Sequence, residues 1–182
     1  SIDAGAQFKG WNGDSAITIV VPDDSRPDVV AEREELSRVT EGSLWAGIAA
    51  LATAKHLGEV GAAIQSHIDS AGHGYGILRD YVGHGIGRKM HESPSVFNYR
   101  VADLGPEVRP GLALAIEPMV VIGDQETFVE DDDWTVSTVD GTAGSHWEHS
   151  VAVHDDGIWV LTAPDGGAAG LAPFGVTPRA IA

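Results

Sequence analysis

Gly83-His84-Gly85-Ile86-Gly87-Arg88-Lys89-Met90-His91-Glu92-Ser93-Pro94 is the stretch that decides how this sequence is read. Glycine at alternate positions lets the backbone turn tightly and approach other atoms closely, so the His84 imidazole is expected to stand presented at a strand end. His91 follows seven residues later, and four carboxylates elsewhere in the chain, Asp3, Asp14, Glu117 and Glu148, complete with His84 the set of five expected to hold two divalent metal ions. A phosphate-binding loop is the competing reading of the alternate glycines. No obvious helix follows, and no lysine or acidic residue stands at dinucleotide spacing to support it.

Composition narrows the function further. The chain has 182 residues, 43% of them hydrophobic, enough for one sizeable core, so residues 1–182 are read as a single domain. A formal charge of -16 repels phosphate backbones and anionic lipid, so neither nucleic acid nor a membrane surface is an expected partner. There is no cysteine, which rules out disulfides, thiolate zinc sites and a cysteine nucleophile. Any metal must be held by nitrogen and oxygen. No apolar run approaches the roughly 20 residues of a membrane span, and a protein of the cytoplasm is the expectation.

Along the chain, strands give way to helices and then to strands again. Residues 1–21 read as an antiparallel hairpin. From Pro27 to about Lys55 helix formers dominate, with Pro27 suited to the first turn after Ser25. Leu57 to Ser70 reads as a second helix, since Val60, Ile64 and Ile68 recur every four residues and Gly72 follows as the stop. Gly76–Val82, Leu112–Ile122, Trp134–Val139, Trp147–His154 and Ile158–Thr162 read as strands, with Asp156-Gly157 as a hairpin turn. The tail from Ala163 is rich in Pro and Gly and is expected on the surface.

If the first hairpin turns between Phe8 and Lys9, Asp3 and Asp14 lie directly opposite one another, and cross-strand Cβ atoms are about 4.5–5.5 Å apart. Two carboxylates at that separation repel, and a cation between them is the natural remedy. The bland reading is a pair of turn or edge acids facing water. Glu117 is harder to dismiss, because it stands in the apolar run Leu112–Val121, where an ionised group needs a partner or a metal. Glu148 repeats the pattern more weakly in Trp147–Val153. One of Glu148 and His149 should face inward and the other outward, and a solvated edge-strand acid is the alternative for Glu148.

These segments resemble the type I methionine aminopeptidases, members of the pita-bread metallopeptidase family. The matching pieces are Asp3 with Gly10-Trp11-Asn12-Gly13-Asp14-Ser15, Gly83–Gly87 with His91–Pro94, Pro110-Gly111 to Glu117-Pro118-Met119, and Asp133–Val136 to Glu148-His149. The resemblance implies an α+β pita-bread fold, an antiparallel curved sheet with helices packed on its outer face. It implies that Asp3 chelates one ion, that His84 and Glu117 bind the other, and that Asp14 and Glu148 bridge them. Glu117 would double as the proton carrier, His91 would hydrogen-bond the substrate, and Met90 and Trp134 would line a methionine pocket. Ordinary core packing is the plainer role for those last two residues.

The implied activity is removal of N-terminal methionine from newly made polypeptides whose second residue is small, by a hydroxide bridging two ions. Nascent chains on ribosomes would be the partners. One imidazole and several carboxylates suit Co, Mn, Fe or Zn. Two alternatives stay open, a proline-directed aminopeptidase of the same fold and a non-catalytic pita-bread binding module. Proline-directed relatives usually continue the first glutamate as Glu-Pro-Gly and end on Glu-Asp, whereas this chain has Glu117-Pro118-Met119 and Glu148-His149. Family members carry further strands and a substrate-contacting histidine before the position of Asp3, so an upstream segment is expected to be missing.

Overall fold

The computed structural model describes residues 1–181. In chain order it contains β1 (Ile2–Phe8), β2 (Trp11–Ile17), α1 (Pro27–Leu51), α2 (Gly58–Ser70), β3 (Gly76–Ile77), β4 (Gly83–Gly85), β5 (Glu92–Val96), β6 (Ala113–Ile116), β7 (Met119–Val121), β8 (Thr127–Val129), β9 (Val136–Thr138), β10 (Gly144–His146), β11 (Glu148–His154), β12 (Gly157–Val160) and α3 (Ala168–Leu171). The main sheet has seven strands, in the order β1-β2-β11-β6-β4-β5, with β12 also paired to β11. Every pairing in it is antiparallel. A three-stranded sheet, β10-β7-β3, continues from it, and β8 and β9 form a separate hairpin.

Two helices cover one face of the main sheet. Val60, Ile64 and Ile68 of α2 are buried, as their spacing predicts, against Leu36, Leu44 and Ile48 of α1. Leu114 and Ile116 of β6 and Val151 and Val153 of β11 complete this core. α1 stops at Leu51 and not near Lys55. The backbone N–H groups of Lys55 and His56 both donate to the Glu59 carboxylate, which commits these residues to the turn before α2. The tail also departs from expectation, since Leu171 is fully buried in the core.

Three local corrections position the site. The first hairpin turns at Lys9-Gly10, both with positive φ, and pairs Asp3 with Ala16 and Gly5 with Asp14. Asp3 and Asp14 are therefore diagonal neighbours and not direct partners. The slip from the expected register is by two residues, so both carboxylates keep the same face, which a slip by one would have destroyed.

Second, Gly83-His84-Gly85 is itself a strand, buried between β5 and β6, not a turn. A Cβ on Gly83 would strike the Ala115 carbonyl oxygen, and one on Gly85 the Ser93 carbonyl oxygen. Close strand approach, and not turning, is why glycine flanks His84.

Third, the apolar run around Glu117 is two strands. β6 leaves the main sheet at Glu117-Pro118 and β7 enters the smaller one, while β10 and β11 break at Trp147. Ile116 pairs with His149 on one side of the break and Met119 with His146 on the other. The register is the same on both sides, so a single folded ribbon is creased with Glu117 opposite Glu148. Pro118 cannot donate to a ladder, which suits it to the crease.

Candidate metal centre

The registers lay the predicted ligands in two adjacent rows across one face of the main sheet. One row runs Asp3, Ala16, Glu148 and, across the crease, Glu117. The next runs Gly5, Asp14, Ser150, Ala115 and His84. Ala16 separates Asp3 from Glu148, and Ser150 and Ala115 separate Asp14 from His84, so the strands leave room above them. Alternation along β11 sends Val151 and Val153 to the helix-covered face and Glu148 and Ser150 to this one.

The donors converge. One ligand atom from each of Asp3, Asp14 and Glu148 lies within 4.8 Å of the others, as do those of His84, Glu117 and Glu148. Asp14, His84 and His91 form a third such group. Glu148 thus belongs to two groups and Asp14 to two. Glu148 is 2% exposed and Glu117 9%, which removes the solvated edge-acid reading of Glu148. Glu148 and His149 face opposite sides of β11, as alternation along a strand predicts. His149 lies on the helix side, its ring 4.9 Å from that of Trp45 and its Nδ1 2.8 Å from Thr162 Oγ1.

Electrostatics show what this arrangement lacks. Burial, then Asp3 and Asp14, push the Glu117 carboxyl up to about 8. Burial, then Glu117, Asp14 and Asp3, push Glu148 up to about 9, and burial with Asp3 beside it raises Asp14. Glu148 Oε1 is buried with no hydrogen-bond partner. A carboxylate in that state is costly unless a cation accompanies it. His84 is prepared for such a cation. Its Nδ1 lies 2.9 Å from the Gly85 carbonyl, which can only accept, so Nδ1 carries a proton and Nε2, 3.4 Å from Glu117 Oε1, is the nitrogen that would ligate.

Asp14 is held by its backbone. Its N–H donates to Ser150 Oγ at 3.0 Å, and the Ser150 hydroxyl donates back to the Asp14 carbonyl at 2.8 Å. His91 is exposed, with its ring 4.4 Å from that of His84 and nearly perpendicular to it. Glu92 closes the loop between them by accepting the Lys89 N–H. Met90 lies over Gly5, where its ε-methyl fills the space a Cβ would need, beside Asp14. Trp134 is 86% exposed beside the β8–β9 hairpin, which fits neither core packing nor an enclosed pocket.

His146 has no role in the sequence reading, yet it is buried with its Nε2 3.7 Å from Glu117 Oε2. Burial pushes its pKa down. Its position two residues before Glu148, on the same face of an extended segment, is the signal that could have found it.

The sequence profile of metallopeptidase family M24 matches residues 1–155. Methionine aminopeptidase 1 of Mycobacterium tuberculosis is 46% identical over 166 residues, covering 89% of this chain and 60% of that protein. A methionine aminopeptidase of Clostridium acetobutylicum is 40% identical over 162 residues, covering 89% of this chain and 62% of that protein. The crystal structure of a methionine aminopeptidase from Thermotoga maritima superposes with a TM-score of 0.78 at 40% identity, over 88% of this chain and 61% of that one. The fold is the pita-bread fold, and the chain spans about three fifths of the length of these relatives.

Proposed function

Because the chain belongs to metallopeptidase family M24, we propose that residues 1–182 form one catalytic domain that removes N-terminal methionine from newly made polypeptides by hydrolysis. The observation that carries the reading is the convergence of five donor residues, three of them the buried carboxylates Asp14, Glu117 and Glu148. Asp3, Asp14 and Glu148 would hold one divalent ion, and His84, Glu117 and Glu148 the other, with Asp14 shared. Co, Mn, Fe and Zn all suit this donor set. Two such ions supply activation of water near neutral pH and polarisation of a peptide carbonyl.

The chain's own residues do the rest. Glu117, with Oε1 on the His84 side of the site, takes up a proton and returns it to the leaving amine. His91, exposed at the rim, donates a hydrogen bond to the substrate. Met90 offers an unbranched apolar surface beside Asp14, and Trp134 adds an aromatic face from the open side. The relatives named methionine aminopeptidases support this substrate over a proline-directed one. A non-catalytic binding module is disfavoured because all five donors converge. Nascent chains in the cytoplasm, at or near ribosomes, would be the substrates. Among the described residues no helix is long and apolar enough to cross a membrane.

The test is release of free methionine from a Met-Ala-Ser peptide. Activity should vanish on dialysis against a chelator and return with Mn or Co. Protein that takes up metal yet releases no methionine would overturn the reading.

A further inference from the structure

Glu117 needs a hydrogen-bond donor when it is ionised, and His84 is not one. As a metal ligand, with its Nδ1 proton committed to the Gly85 carbonyl, His84 would offer its Nε2 lone pair to the ion and no proton to Glu117 Oε1, 3.4 Å away. On the other side of the carboxylate, His146 Nε2 is buried, has no hydrogen-bond partner and lies 3.7 Å from Oε2. That gap is just beyond a hydrogen bond, and a small movement of the carboxylate closes it.

The backbone beneath His146 is fixed from two directions. Its N–H donates to Thr18 Oγ1 at 3.0 Å, and the Thr18 hydroxyl donates to its carbonyl at 2.8 Å. Its ladder partner is Met119, two residues beyond Glu117 across the crease. The backbone that carries the ring is thus held beside Glu117 by Thr18, just past β2, and by β7.

We propose that His146 is a positioning residue for Glu117: its Nε2–H donates to Oε2 of the ionised carboxylate and leaves Oε1, on the His84 side, as the metal-donor atom. This rests on Glu117 being a metal ligand.

The test is Co2+ binding without substrate, followed by chelator competition and by the visible spectrum of the bound ion, in wild type, His146→Gln, His146→Asn and His146→Leu. The glutamine amide reaches the place of Nε2, and the asparagine amide falls short. His146→Gln should hold Co2+ within about twofold of wild type with the same spectrum. His146→Asn and His146→Leu should bind it about tenfold or more weakly, the usual effect of losing a hydrogen-bond partner of a ligand. The melting temperature of metal-free His146→Leu should not fall, which separates positioning from packing. If His146→Leu does not fold, the contrast between glutamine and asparagine decides. Wild-type affinity in His146→Leu or His146→Asn, or a loss in His146→Gln as deep as in His146→Leu, overturns the role of His146. Wild-type protein that binds no Co2+ overturns the metal reading and this inference with it.

Discussion

Glu117 and Glu148 stand opposite one another at the crease of a folded ribbon, where the ladder keeps one register on both sides but Glu117 itself belongs to neither strand. Two buried carboxylates at cross-strand distance are a destabilising pair until a cation joins them. Glu117→Ala should therefore abolish methionine release from Met-Ala-Ser and reduce bound metal, while leaving the metal-free protein at least as stable as wild type. Elemental analysis and thermal unfolding in chelator check this. A variant that unfolds at a lower temperature than metal-free wild type would show Glu117 to be a structural residue.

The pH dependence follows from the same pair. Glu117 and Glu148 hold protons up to about 8 and about 9 in the folded, metal-free chain, whereas an unfolded chain releases them near 4.5. The folded state then binds more protons than the unfolded one, and stability falls as pH rises through that window. Each such proton costs about 1.4 kcal/mol per pH unit. Melting temperatures in chelator should drop from pH 5 to pH 9, and added Mn should offset the drop most at the alkaline end. A flat profile would contradict the burial of the pair.

On the acid side the sign reverses at His149. Burial pushes its pKa down to about 4 from 6.5, so it stays neutral where an unfolded chain would take up a proton. Stability should fall as pH drops from about 6.5 to about 4, and His149→Gln should flatten that limb. An unchanged acid limb in the variant would mean that another group carries it.

Ser150→Ala removes no metal ligand, yet it breaks the reciprocal clamp on the Asp14 backbone. A cost of about 1–3 kcal/mol is expected for the buried groups left unpaired. Metal affinity should fall as well, measured by chelator competition. Unaltered affinity would mean that the strand register alone places Asp14.

Trp134→Ala should leave stability within about 0.5 kcal/mol, since the side chain is 86% exposed. If the indole contacts substrate, the preference for methionine over alanine at the first position should weaken. Equal ratios of kcat/KM in variant and wild type would confine Trp134 to the surface.

Much of the site was legible because charge in an apolar run is expensive. Glu117 among Leu112–Val121 and Glu148 among Trp147–Val153 point to a buried cation without any structure. Asp3 and Asp14 were placed on one face although their register was misjudged by two residues, because parity decides the face. The crease could not be read, since a strand that changes sheets at Pro118 looks in sequence like one longer strand. His146 is half-legible: its spacing of two from Glu148 hints at a shared face, but its nearness to Glu117 exists only across the fold of the ribbon. The glycines beside His84 were noticed but given the wrong cause, because the carbonyls that crowd them come from Ala115 and Ser93 on neighbouring strands.

The hairpin of β1 and β2 joins the rest of the main sheet along one edge, through the ladder pairs Glu148 with Ala16 and His149 with Ser15 and the bonds of Asp14 with Ser150 and of Thr18 with His146. Asp3 and Asp14 ride on that hairpin, while His84, Glu117 and Glu148 do not. An ion shared between the two sets would therefore act as a rivet across that one edge. Loaded protein should open there late, and stripped protein early, so that the first peptide bond exposed to a protease shifts with the metal content of the solution.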